Sequence, residues 1–162
     1  MQLATSAILL LLLFSGSLTA NAQNSFECDS ILDLWKQKKF GELLSGFDQV
    51  ANKPSKTAKE TAALAFRDYI FLGDLLSAKS KLEQVLQKYE GSKSQFPNEF
   101  GALLDTVLNE INQEIRIHSE RGKTNDQIKA NANPSAIRDA WGDEYHPIID
   151  LILKTPAIAI SN

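Results

Sequence analysis

Along residues 28–122 apolar positions recur three or four apart, the spacing of one face of a helix, while polar residues fill the other faces. Ile31, Leu34 and Trp35 share one face, and Phe40, Leu43, Leu44, Phe47 and Val50 share another, with a break across residues 38–41. Asn52-Lys53-Pro54 ends this stretch, because proline lacks an amide donor and restricts the residue before it. Thr57-x-x-Glu60 is a capping box and predicts a helix carrying Ala58, Ala62, Ala65, Phe66, Tyr69 and Ile70, stopped at Gly73. Its alanines predict close approach of a neighbouring helix. Asp74 caps the next helix, whose apolar side is Leu75, Ala78, Leu82, Val85, Leu86 and Tyr89. After a loop at residues 91–95, the longest helix spans 98–121, with Phe100, Leu103, Leu104, Val107, Leu108, Ile111 and Ile115 in one stripe and Gly122 as its stop. The pattern predicts an all-α fold.

The pattern also repeats. A shift of 35 residues pairs Ile31 with Phe66, Leu34 with Tyr69, Trp35 with Ile70 and Phe40 with Leu75. It continues with Leu43 on Ala78, Phe47 on Leu82, Val50 on Val85 and Ala51 on Leu86, so each unit is a helix–turn–helix. The second unit, Tyr69-x3-Gly73-Asp74-x3-Ala78-x3-Leu82-x2-Val85, resembles the tetratricopeptide repeat, whose period is about 34. The first unit departs from that family, with Lys38 at the family's glycine and Leu43 at its small alanine, and the long helix runs through the turn expected near Leu108. The resemblance covers roughly residues 29–90 and implies stacked helical hairpins capped by the long helix, with a concave side for a peptide or partner helix. Two amphipathic hairpins that share only their periodicity are the plainer alternative.

The two ends differ in character. Residues 1–22 carry no Asp, Glu, Lys or Arg, and residues 7–14 (AILLLLLF) form an apolar run too short for a bilayer, which takes ~20 apolar residues. With Ala20-Asn21-Ala22 as an A-x-A cleavage pattern, this reads as a signal peptide cut after Ala22, and the chain as secreted or periplasmic. No second long apolar stretch follows, so no integral membrane segment is expected after cleavage. The expected organisation is a signal peptide at 1–22, a helical domain at 23–122, a polar linker at 123–136 (KTNDQIKANANPSA) and a C-terminal segment at 137–162. In the last segment, Ile148 to Leu153 and Ala157 to Ile160 flank Lys154-Thr155-Pro156, which predicts either a small two-stranded β-element or a helix starting at Pro147 followed by a strand.

Asp139-x-Trp141-Gly142-x-x-Tyr145 is similar to a D-P-W-G-N-P-Y segment near the C-terminus of type II secretion pseudopilins. That resemblance implies a turn holding Trp141 and Tyr145 that leads into a β-hairpin. Ala140 stands where the family has proline, and the prepilin cleavage site is missing.

Seventeen Lys plus Arg against 20 Asp plus Glu give a net charge of -3, without the basic footprint of a nucleic-acid binder. One cysteine, Cys28, excludes an internal disulfide and a multi-cysteine zinc site, leaving an inert thiol or a Cys28-linked dimer. Glu110, Glu114 and His118 follow i, i+4, i+8 spacing, but helical metal sites use Glu-x-x-His repeated on other helices, so a Glu114–His118 ion pair is the simpler reading. Asp139, Asp143 and Glu144 lack a calcium-loop pattern, and Cys28 with His118 or His146 matches no thiol-enzyme signature. No residue is assigned a catalytic, cofactor or metal role.

The expectation is a secreted, tetratricopeptide-like module that binds an unknown protein or peptide, with Phe71, Trp141 and Tyr145 as partner-contact candidates. A structural component of an envelope or secretion apparatus related to pseudopilins is the alternative. A metal-dependent or thiol enzyme would need at least two of Cys28, Glu114, His118 and His146 to converge.

Overall fold

The computed structural model describes residues 25–131 and 146–160, and among them the fold is helical. A 3-10 turn, Cys28–Ser30, leads into α1 (Ile31–Lys36). Next come α2 (Phe40–Ala51), α3 (Ala58–Phe66), α4 (Leu75–Gly91), α5 (Phe100–Glu120), α6 (Asn125–Ala130) and α7 (Pro147–Lys154). Local chemistry sets most of the boundaries. Thr57 and Glu60 form the reciprocal capping box of α3, and Asp74 accepts from the Ser77 amide at the start of α4. Gly122 ends α5 at φ 69°, a conformation open to glycine at little cost.

The helices pack as neighbours in sequence: α1 on α2, α2 on α3, α3 on α4 and α4 on α5. α7 then returns to cover both α3 and α5. α3 is therefore enclosed on several sides, and Ala58, Thr61, Ala62, Ala63, Leu64, Ala65 and Phe66 are all buried. A helix surrounded in this way can keep its neighbours close only with small side chains, which accounts for its alanines. α7 contributes Ile148, Ile149, Leu151 and Ile152, all fully buried, and Pro147 occupies its first turn, where the missing amide costs nothing.

Residues 123–131, the described part of the expected polar linker, include α6. Thr124 and Gln127 make a second capping box, and Ile128 packs against the core. In the C-terminal segment a helix starts at Pro147, one of the two arrangements expected there, and beyond it, in place of a strand, the described residues make one isolated antiparallel bridge, Thr57 with Ala159. The Ala58 amide donates to the Ile158 carbonyl at 2.8 Å, and the Ile160 amide to the Lys56 carbonyl at 3.2 Å. The proposed signal peptide and the Asp139–Tyr145 motif lie outside the described residues.

Candidate functional site

The turns that close the two hairpins lie side by side. α1 ends in a Schellman turn: the Lys38 amide donates to the Trp35 carbonyl at 2.9 Å, and the Lys39 amide to the Leu34 carbonyl at 2.9 Å. This winding puts Lys38 at φ 58°. α3 ends differently, in a wide π turn over Arg67–Phe71, where the Leu72 amide reaches back to the Arg67 carbonyl at 3.1 Å. Gly73 follows at φ 61°. Phe71 bridges the two turns, with its ring centroid 6.3 Å from Trp35 and 6.2 Å from Phe40.

The π turn carries Phe71 to the inner face. Five residues per loop bring Phe71 round to the side of Phe66, with ring centroids 5.7 Å apart, and Phe71 is 5% exposed. The ring packs among Trp35, Phe40, Phe47 and Phe66. Leu72 and Leu76 stand outside instead, 42% and 52% exposed. Their signal in the sequence is that neither falls on the apolar stripe of its helix. Trp141 and Tyr145, the other partner-contact candidates, lie outside the described residues.

Buried charge fixes this edge from behind. Asp68, nearly fully buried, accepts from the Arg67 guanidinium at 2.9 Å and from the Lys81 ammonium at 2.5 Å, which ties the π turn to α4. Asp74 holds α6 in place, accepting from Asn125 Nδ2 at 3.1 Å and pairing with Lys129 Nζ at 3.1 Å. Burial alone raises the Asp74 carboxyl pKa, but donors on Asn125, Ser77 and Lys129 outweigh it and hold the group at about 2.

A second polar cluster joins α3's end, α5 and α7. Glu110 Oε1 accepts from the Tyr69 hydroxyl at 2.8 Å and lies 2.8 Å from His146 Nε2. The Ile148 amide donates to His146 Nδ1 at 3.1 Å, so Nδ1 is unprotonated and Nε2 carries the proton given to Glu110. Burial raises the Glu110 pKa, and the His146 and Tyr69 donors more than offset it, leaving the carboxyl below its ordinary range. Burial and the adjacent Glu110 push the Tyr69 hydroxyl strongly upward. In this geometry His146 spends one nitrogen on capping α7 and the other on a carboxylate, which is an arrangement for orienting helices.

The remaining candidates fall apart in space or into pairs. His118 Nε2 lies 3.6 Å from Glu114 Oε2, the expected i, i+4 pair. Cys28 is buried, and burial followed by the Glu60 charge pushes its thiol up to about 11. In the folded chain the Cys28 thiol is therefore free, buried and protonated near neutral pH. Among the described residues no cluster of three or more His, Cys, Asp or Glu could hold a metal ion, and no helix is long and apolar enough to cross a membrane.

No protein-family model, curated protein or solved structure matches this chain.

Proposed function

We propose that this chain is an exported, tetratricopeptide-like module that works by binding another protein. The observation that supports this reading is the agreement of the two hairpins under a 35-residue shift. Lys38 falls on Gly73, and these are the left-handed residues of the two turns. Lys39 falls on Asp74, each the N-cap of the following helix with nearly the same φ, -84° and -88°. α2 begins at Phe40 and α4 at the paired Leu75. The paired core positions Ile31 and Phe66, Trp35 and Ile70, Leu43 and Ala78, Phe47 and Leu82, and Val50 and Val85 are buried on both sides. Shared periodicity alone would not reproduce a left-handed turn residue at the same register.

Stacked helical hairpins expose a continuous surface that other chains can line, and α5 closes one end of this stack. The test is affinity capture with the chain expressed with its leader and recovered from the exported fraction. A stoichiometric partner released by soluble competitor chain supports the module. Recovery of the bait alone from every fraction overturns it. A chain retained inside the cell with its first 22 residues intact overturns the exported part of the reading.

A further inference from the structure

We infer that the edge formed by the two hairpin turns is a docking surface for an acidic peptide that also carries apolar side chains. The inference rests on the binding-module reading and names the surface and partner chemistry within it. Three observations meet at one end of the stack. Lys36, Lys38 and Lys39 are exposed on the first turn, three cations within four residues of a chain whose net charge is -3. Leu72 and Leu76 are exposed beside the second turn. Ring contacts among Trp35, Phe40 and Phe71 bring the two turns together, with Lys36 and Lys39 next in sequence to Trp35 and Phe40 and Leu72 next to Phe71.

The lysines have little to do within the fold. Lys39 approaches Glu42 at 3.5 Å, while Lys36 and Lys38 make no ion pair among the described residues. Lys38 also sits where a side chain costs energy. A left-handed conformation disfavours any residue with a Cβ, and the paired position in the second hairpin is Gly73. A strained residue at the surface, whose side chain supports nothing inside, marks a position kept for contact with something else. The second turn shows what happens when this edge is satisfied from within. There Asn125 and Lys129 of α6 meet Asp74, and the Leu76 amide donates to Asn125 Oδ1 at 3.4 Å while its side chain stays exposed, whereas residues 36–39 of the first turn are all exposed.

Charge selects the partner. Carboxylates answer the exposed ammonium groups, and apolar side chains answer Leu72 and Leu76, so an acidic amphipathic peptide satisfies both parts. An anionic membrane fits less well. A bilayer meets the whole protein, whose net charge repels it, and interfacial binding calls for a broad apolar face with projecting aromatics. Here the aromatic rings are tucked under the edge.

The experiment is fluorescence anisotropy of a labelled synthetic peptide of alternating glutamate and leucine pairs, titrated with the full chain. Vesicles of phosphatidylglycerol and phosphatidylcholine form a second arm. The expected result is saturable peptide binding that weakens with added salt. K36Q/K38G/K39Q should weaken it by about tenfold at low salt, since exposed ion pairs each contribute modestly. L72S/L76S should weaken it at high salt as well, where screening leaves the apolar contacts dominant. Glycine suits the backbone of position 38, so the lysine variant keeps its fold, which circular dichroism checks. Absence of peptide binding, binding indifferent to both variants, or binding to vesicles in place of the peptide each overturns the inference. If the peptide fails while a stoichiometric protein partner is still captured, the edge is wrong and the binding module stands.

Discussion

Lys38 and Gly73 hold the same place in consecutive hairpins, each directly after a helix C-cap and directly before the N-cap of the next helix, at φ 58° and 61°. The backbone asks the same of both, and only one of them is suited to it. Lys38→Gly should therefore stabilise the chain by about 0.5–1 kcal/mol, the relief of left-handed strain less the entropy of freeing a glycine. Gly73→Ala should destabilise it by about 1–2 kcal/mol. Urea denaturation of the two variants measures both, and shifts of the same sign would contradict the equivalence.

The Tyr69–Glu110–His146 cluster is predicted to act as one unit. Tyr69→Phe removes one donor and should cost about 1 kcal/mol, whereas Glu110→Ala removes the carboxylate that both Tyr69 and His146 contact and should cost about 2–3 kcal/mol. A double-mutant cycle on Tyr69 and Glu110 should show clear coupling. Because the folded carboxyl of Glu110 titrates below its ordinary range, its contribution is present above that range and is lost as pH falls through the folded value. Stability of Glu110→Gln should lack this part of the acid dependence.

α6 should depend on Asp74 more than on its own sequence. Asp74→Ala removes the partner of Asn125 and Lys129 and should abolish hydrogen-exchange protection across Asn125–Ala130. It also removes the N-cap of α4, at about 1 kcal/mol, which leaves the other helices folded. In the wild type the Asp74 contribution holds above its ordinary value of 3.8 and disappears as pH falls through about 2.

Cys28 should be a slow thiol. With its pKa near 11 and its side chain buried, reaction with a thiol reagent near neutral pH should proceed at the rate at which the first turn opens. Mild urea should accelerate it sharply. Immediate stoichiometric labelling of the folded chain would contradict the buried thiol.

The helix boundaries were legible in the sequence because their causes are local: a capping box at Thr57, a cap at Asp74, glycines at 73 and 122. What escaped depends on distant partners or unusual winding. α6 has one apolar residue packed on the core, Ile128, and its anchor Asp74 lies 51 residues from Asn125. Its capping box, Thr124-x-x-Gln127, was the available clue. The π turn over Arg67–Phe71 has no signature in the spacing of apolar residues. The Glu110 cluster joins residues separated by 36 and 41 positions, which no periodicity brings together. Of the exposed edge, the three lysines stood in plain view, and the strain at Lys38 was hinted at by its alignment with Gly73 under the 35-residue shift.

α7 gives the chain an order in time. Helices α1 to α5 meet partners next to them in sequence, and each can settle as it emerges from synthesis. α3 cannot be finished that way, since part of its surface waits for Ile148, Ile149, Leu151 and Ile152, made long after it. Until they arrive, an apolar strip along the central helix stays wet, so the nascent chain remains incompletely folded until α7 has emerged.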